Sequence, residues 1–266
     1  MIKFFRNIRQ KLLTEGNTSK YLKYAIGEII LVVIGILIAL SINNWNQNRL
    51  NKKLESEYCQ RLLEDLKEDK AILQATLNYS HQVVTHAKNA ILVFENSEEM
   101  NPNPVDNLID MYQASQLQDP NSAFSTYKEL IASGQINLIQ NDNLKTALIR
   151  YYEVDWEQTS VFKLSNSYRE NLRGKMPNEI QVKIREKCGD VYIKIRKGYE
   201  VVLPKNCEVD INTQVAKSVV PFLLEDDSLK KDLRYLIGNE DAKILHVNST
   251  IQQVDNLITL FETALQ

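Results

Sequence analysis

Glycine and proline are scarce in this chain, at 8 and 6 of 266 residues. These two residue types supply most of the tight turns that a β-sandwich or β-barrel requires. Their scarcity argues against such folds and favours a mainly α-helical protein. With 44% apolar and 25% charged residues, the chain has the composition of a packed globular protein rather than a disordered one.

A basic stripe is absent beyond the N-terminal segment. Residues 1–28 carry six Lys or Arg residues and two acids, whereas the rest of the chain carries 26 basic and 32 acidic residues. Nucleic-acid-binding domains concentrate positive charge on one surface. The sequence therefore predicts no nucleic-acid partner.

Signals of catalysis are few. Ser125 and Lys128 have the SxxK spacing of serine enzymes that act on cell-wall peptides. The same spacing occurs twice more, however, and Ala147 stands where the companion Lys-Thr-Gly motif needs its glycine. The other two SxxK pairs are Ser160/Lys163 and Ser228/Lys231. A phosphate-binding glycine loop is also missing from the sequence.

The histidines do not have the spacing of a metal site. His81 and His86 are five residues apart and point about 140° away from each other on a helix, unlike the i, i+4 pair of a helical zinc site. His246 has only Asp241 nearby in sequence. The acid pairs Asp226/Asp227 and Glu98/Glu99 fall in polar breaks between helices and are most simply interpreted as solvated helix caps.

We predict no catalytic residue, no metal and no cofactor.

Four aromatic residues have two interpretations. They can line a small-molecule cleft between helices, or they can belong to the core. Their helical spacing favours the core. They are Tyr151, Tyr152, Trp156 and Phe162.

One segment is apolar enough to cross a membrane. Ile29 to Leu40 is uninterrupted, and Glu28 is the only charge between Ala25 and Asn44. About 20 helical residues span a bilayer core of ~30 Å. We predict a transmembrane helix over residues 25–45, with Tyr21, Tyr24 and Trp45 as membrane-interface anchors.

Two alternatives explain such a segment less well. A cleaved signal peptide has a shorter basic region, and the apolar run of this chain is nearly of full spanning length. A core helix needs other segments apolar enough to surround it, and the chain has none.

The flanking charges predict the direction of insertion. Basic residues concentrate before the span, which places residues 1–24 in the cytoplasm as a basic amphipathic segment. Residues 46–266 then form a domain on the far side of the membrane, which in a bacterium is the periplasm or the cell exterior. The lipid bilayer is accordingly one predicted partner.

Glu28 can simply reach the headgroup layer, because it lies about one turn inside the cytoplasmic end of the span. A second interpretation is a helix-packing face made by Gly27, Glu28, Gly35 and Ala39. Gly35 and Ala39 have the small-xxx-small spacing that permits close contact between spans. This face predicts a homo-oligomer or a protein partner.

Two long helical seams follow the span. We predict that the last helix returns antiparallel onto a helix that continues from the span to about Asn96, so that each covers the apolar stripe of the other. The first seam is Leu63, Leu66, Leu73, Leu77, Val84, Ala87, Ile91 and Phe94, and the second is Ile244, Val247, Ile251, Val254, Ile258, Phe261 and Leu265.

Shorter helices are predicted between the two seams. Pro104 suits the first turn of one helix, and Gly134 ends another. Asp142 is the predicted cap of a long helix that runs to Leu172, and Gly238 is the predicted stop of a helix before the last one.

The segment between Cys188 and Cys207 alternates β-branched and charged residues and predicts a β-hairpin over about 190–204, centred on Lys197-Gly198. The two cysteines are equidistant from that turn, so we predict a disulfide at the base of the hairpin. Cys59 is either a buried thiol or a cross-link between two copies.

Several stretches resemble an uncharacterised bacterial family of small single-pass inner-membrane proteins, a domain of unknown function. These stretches are MIKFFRNIRQ, KYLKYAIGEIILVVIGILIALSINNWNQ, STYKELIASGQINLIQN and LIRYYE. The resemblance implies an N-terminal anchor and a helical extracytoplasmic body. It implies no activity, ligand or catalytic residue.

The function that these features favour is a membrane-anchored helical interaction module, a scaffold or accessory subunit that works through partners. The alternative is an extracytoplasmic sensory or ligand-binding domain that signals through another membrane protein, because residues 1–24 hold no transmitter domain. An enzyme ranks third.

Overall fold

The computed structural model describes residues 18–118, 125–154, 167–195 and 198–265. Within these ranges the chain is mainly helical, with a single two-stranded antiparallel sheet. The helices are α1 (Thr18–Phe94), α2 (Pro104–Ala114), α3 (Ser125–Ala132), α4 (Asp142–Tyr152), α5 (Ser167–Lys175), α6 (Asn178–Cys188), α7 (Thr213–Leu224) and α8 (Asp227–Ala264), with a 3-10 turn at Gln135–Leu138 and strands β1 (Val191–Ile195) and β2 (Gly198–Val202). The predicted mainly α fold with one small hairpin is confirmed.

The chain divides into two compact units, Met1–Glu57 and Tyr58–Gln266. In the described part of the first unit, the apolar stretch of α1 is exposed over its whole length. The second unit holds the buried core. Helix α1 carries no proline, and its only glycines are Gly27 and Gly35, so nothing in its sequence breaks it before Phe94.

In the second unit, α8 returns antiparallel along α1, as the two seams predicted. Four ion pairs show that the two helices run antiparallel, because residue numbers rise along α1 as they fall along α8. The four pairs are Lys67–Glu262 at 2.8 Å, Lys70–Asp255 at 2.6 Å, Lys88–Asp241 at 3.7 Å and Glu95–Arg234 at 2.6 Å. The Arg234 guanidinium lowers the pKa of the Glu95 carboxyl.

The remaining helices pack on this pair in two groups. Helices α3 and α4 lie towards residues 58–77 of α1, where Asp65 and Asp69 accept hydrogen bonds from them. Helices α2, α5, α6 and α7 lie towards Tyr79 to Val93 and form the main core cluster with the first part of α8.

The buried stripe of α8 is centred slightly differently from the predicted seam. Of the predicted residues, Val247, Val254 and Phe261 are buried, and Ile244, Ile251, Ile258 and Leu265 are partly exposed. The most buried line also contains Lys243, Thr250 and Leu257. Apolar periodicity misses Lys243 and Thr250, because it counts only apolar side chains.

Two predicted helix ends are wrong. Helix α8 continues through Gly238, because burial of Leu236 and Val247 on either side outweighs the roughly 1 kcal/mol helix penalty of glycine. Helix α4 ends at Tyr152 instead of running to Leu172. Its cap is Asn141, whose Oδ1 accepts from the backbone of residues 143 and 144, whereas Asp142 is the first helical residue.

Other predicted ends agree with the structure. Pro104 is the first residue of α2, with the Asn103 side chain accepting from Val105 N at 3.1 Å. Gly134 follows α3 with a left-handed φ of 69°, a conformation that glycine adopts at low cost.

The hairpin pairs with a register one residue from the predicted one. Val191 lies opposite Val202 and Ile195 opposite Gly198, so the connection is at 196–197, outside the described residues. The end of β2 is held on α1, because the Gln82 side chain donates to the Leu203 carbonyl at 2.8 Å and accepts from the Leu203 N–H at 3.0 Å.

A disulfide joins Cys188 to Cys207, with the two Cα atoms 5.3 Å apart. Cys188 is the last residue of α6 and is fully buried, and Cys207 lies in the loop that follows β2. The bond therefore ties α6 to the segment that leads into α7. Cys59 is buried on α1.

The α1–α8 interface predicts a large difference between two neighbouring substitutions. Phe261 is 0% exposed, and Leu260 is 41% exposed. Phe261→Ala should lower the free energy of unfolding by about 3–5 kcal/mol, because it leaves a cavity in the core. Leu260→Ala, the matched control, should change it by about 0.5 kcal/mol or less. Urea denaturation followed by circular dichroism measures both, and equal losses would contradict the observed face of α8.

The disulfide predicts a stability that depends on reductant. The double variant Cys188→Ala/Cys207→Ala should lose about 3 kcal/mol, as expected for a closed loop of this length. Its midpoint in urea should not shift on adding dithiothreitol, whereas that of the native chain should fall. Non-reducing peptide mapping provides the direct check, and a Cys188 peptide that migrates alone would disprove the bond.

Candidate functional site

The apolar stretch of α1 is the first candidate surface. An 18-residue window of this helix has a mean hydropathy of 2.8, and none of the window is buried within the protein. A helix of the soluble core would be covered by its own chain. The stretch is therefore compatible with a membrane anchor, which would supply the missing apolar environment.

The proposed packing face lies in this stretch. Within the described residues, no atom lies within 4 Å of the position that a Cβ would occupy at Gly27 or Gly35. Glu28 is partly buried and Ala39 is exposed. The small residues thus leave room for a close neighbour, and the packing face stays a prediction.

The interface anchors are only partly visible. Trp45 is 66% exposed, and the Arg49 guanidinium lies 5.8 Å from the centre of its ring. Tyr21 and Tyr24 belong to α1, but their side chains lie outside the described residues.

The structure gives the first SxxK pair a local role. Ser125 Oγ donates to Asp65 at 3.2 Å, and Thr126 N donates to the same carboxylate at 2.9 Å. Asp65 therefore caps the start of α3 from a neighbouring helix. In the third pair, Ser228 Oγ donates to Asp226 at 2.6 Å, where Asp226 caps α8. The pair Ser160/Lys163 lies outside the described residues.

The histidines lie apart. His81 is exposed, and His246 is partly buried on α8. His86 Nδ1 lies 2.6 Å from the buried Asp110 Oδ1, a contact between α1 and α2 that sequence spacing does not reveal. In the described part of the chain, no three His, Cys, Asp or Glu side chains come together as a potential metal site.

The aromatic group packs against buried carboxylates. Tyr151 is buried and donates to Asp69 Oδ2 at 3.3 Å, and Tyr152 stacks on Tyr127 with ring centres 4.9 Å apart. Burial, together with the charge of Asp69, raises the pKa of Tyr151 and of Tyr152, so both stay protonated. This arrangement fits the core interpretation. Trp156 and Phe162 lie outside the described residues.

A cluster of arginines at the end of α2 escaped the sequence analysis. Arg169 and Arg173 are four residues apart on α5, and Arg185 lies on α6. All three reach the last residues of α2 or the loop that follows. We call Arg169, Arg173, Arg185 and Tyr112 the arginine cluster.

Tyr112 is the centre of this cluster. It is 1% exposed, the Arg173 guanidinium lies over its ring at 4.5 Å from the centre, and Arg185 Nε donates to its hydroxyl at 3.3 Å. A guanidinium over an aromatic face is a favourable cation–π contact.

The two arginines of α5 donate hydrogen bonds to residues 115 and 116, just after α2. Arg169 donates to the Ser115 carbonyl at 2.6 Å. Arg173 donates to Ser115 Oγ at 3.0 Å and to Gln116 Oε1 at 2.8 Å. These bonds satisfy acceptors at the C-terminal end of α2.

Asp190 is a carboxylate that attracts the charge of Arg173. Its Oδ1 accepts from Tyr79 at 2.9 Å. Burial, followed by repulsion from Arg169 and Arg185, lowers the pKa of Arg173 to about 10, so Arg173 remains charged at neutral pH.

One sequence signal points towards this cluster. Arg169 and Arg173 have i, i+4 spacing and share a helix face. Arg185 and Tyr112 come from two other helices, and only the fold brings them to that face.

Residues 28–188 match a family of unknown function, DUF6090. No curated protein matches the chain, and no solved structure matches it. The matched range includes the apolar stretch, the α1 seam, and helices α2 to α6 with the arginine cluster. Because the match covers more than half of the chain, the protein belongs to this family of unknown function.

Proposed function

We propose that this protein is a single-pass, membrane-anchored helical module that presents its second unit in the periplasm and works through partner proteins. The observation that carries the proposal is the apolar stretch of α1, which its own chain leaves uncovered. Exposed apolar surface of this extent is not stable in water, and a bilayer is the environment that covers it.

The disulfide supports the proposed location. Disulfides persist in oxidising compartments such as the bacterial periplasm. The Cys188–Cys207 bond therefore agrees with the direction of insertion that the basic N-terminal segment favours.

An interaction role is supported by the open surface of the span. Gly27 and Gly35 leave space for the backbone of a second helix. In a bilayer, association between spans depends on such close packing, because lipid tails are as apolar as the side chains they would replace.

A sensory or ligand-binding role is the second candidate, and the arginine cluster favours it. Arg173 and Arg185 meet at the buried Tyr112 from two different helices, and a pair of guanidinium groups is a typical partner for an anionic group. A thermal-shift screen of anionic compounds on the full chain in detergent tests this role.

The proposed topology predicts the activity of a reporter. A phosphatase that is active only in the periplasm should be active when fused after Gln266. The same fusion in a chain that lacks residues 25–45 should be inactive and should leave the membrane fraction on carbonate extraction. An inactive reporter on the full chain would overturn the assignment of inside and outside.

The packing face predicts a difference between two enlargements within the span. Gly35→Leu should reduce cross-linking to a partner or second copy in intact membranes, because the side chain blocks close approach. Val33→Leu is the matched control, since residue 33 lies about 200° around the helix from residue 35. Cross-linking with mass spectrometry measures both variants. Unchanged association in Gly35→Leu would eliminate this face as a partner site.

A further inference from the structure

We propose that Arg173 and Arg185, together with Tyr112, form a binding site for a phosphate group, and that Arg169 adds positive charge to it. This inference deepens the second candidate function, the ligand-binding role, on which it rests, and it does not depend on the membrane anchor. All the residues involved lie in the second unit.

Two guanidinium groups meet at one tyrosine from different helices. Arg173, on α5, covers the Tyr112 ring, and Arg185, on α6, donates to the Tyr112 hydroxyl. A tetrahedral oxyanion is well bound by donors that approach from different directions, and the planar guanidinium fork matches two of its oxygens.

Donors remain for a ligand. The terminal nitrogens of Arg185 have no hydrogen-bond partner among the described residues, since Nε makes its one bond there. Arg173 uses Nε and one terminal nitrogen in its bonds to residues 115 and 116. The Tyr112 hydroxyl accepts from Arg185, and in the described part of the chain its own hydrogen has no acceptor.

The charge balance favours an anion. Arg169 and Arg185 repel the charge of Arg173, and this repulsion contributes to the lowered pKa of Arg173. Asp190 attracts the charge of Arg173, but its Oδ1 already accepts from Tyr79.

Helix capping explains only part of the cluster. Arg169 and Arg173 satisfy acceptors at the end of α2, a sufficient structural role for those two contacts. Arg185 contacts no backbone carbonyl of α2; its described hydrogen bond goes to the Tyr112 hydroxyl. A third cation beside two others costs electrostatic energy, and a bound anion would offset that cost.

The test is a titration of the full chain in a nonionic detergent with sodium phosphate, at an ionic strength held constant with sodium chloride. Isothermal titration calorimetry should show saturable binding, and the thermal midpoint should rise and level off. A parallel titration uses short-chain phosphatidylglycerol. Saturation by inorganic phosphate indicates a free phosphate ligand, and saturation only by the lipid indicates a headgroup; either result supports a phosphate site.

Two variants and one control locate the binding. Arg185→Gln and Arg173→Gln should each weaken phosphate at least about tenfold, because each removes a charge-assisted donor pair. Arg185 is exposed, so its variant should stay folded without phosphate. Lys187→Gln makes the same charge change at another exposed position of α6, on the opposite side of the helix, and should bind like the native chain.

Three outcomes would overturn the proposal. The first is no saturable effect of either phosphate source. The second is an equal effect of acetate at the same ionic strength, which would indicate a general anion effect. The third is unchanged phosphate binding in Arg185→Gln, or an equal loss in Lys187→Gln.

Discussion

The antiparallel packing of α8 on the second half of α1 is the contact on which the rest of the second unit depends. It joins two helices that are distant in sequence, and α4, α5 and α7 contact α8. The exposed ion pairs along it contribute little to stability individually. Both helices also bury apolar residues such as Leu66, Val84, Val254 and Phe261, and burial of this kind contributes most to stability.

Because α1 is covered on more than one side, some of its polar residues are buried, which costs the free energy of removing them from water. Its buried residues include Asp65, Glu68, Asp69, Thr76 and Ser80 as well as its apolar seam. Buried carboxylates are stable only when hydrogen bonds replace their water. Asp65 accepts a hydrogen bond from the backbone at the start of α3, and Asp69 accepts one from the Tyr151 hydroxyl of α4. The polar positions of α1 thus determine where the short helices attach.

The need of polar groups for hydrogen-bond partners also explains part of the arginine cluster. The C-terminal end of α2 leaves acceptors that need donors, and α5 supplies two arginines on one face. The disulfide and the Gln82 clamp on Leu203 hold the end of α6 and the end of the hairpin in place. Arg185 is thereby placed beside Tyr112 by contacts that are distant from it in sequence.

The sequence by itself determined the features that depend on local composition and period. These are the apolar stretch, the helical seams, the start of α2 at Pro104, the turn at Gly134 and the existence of a hairpin. It misplaced the helix boundaries at Tyr152 and Gly238, because local propensities of about 1 kcal/mol are smaller than the energy of burying neighbouring side chains. It also misplaced the hairpin register by one residue.

Only the tertiary structure decided which polar residues are buried and which charged residues meet. The contacts His86–Asp110, Asp69–Tyr151 and Arg185–Tyr112 join residues from different helices. Periodicity identifies the apolar face of each helix, but it carries no information on which helix lies opposite or at what height. The packing of the helices sets both, and the arginine cluster is a product of that packing.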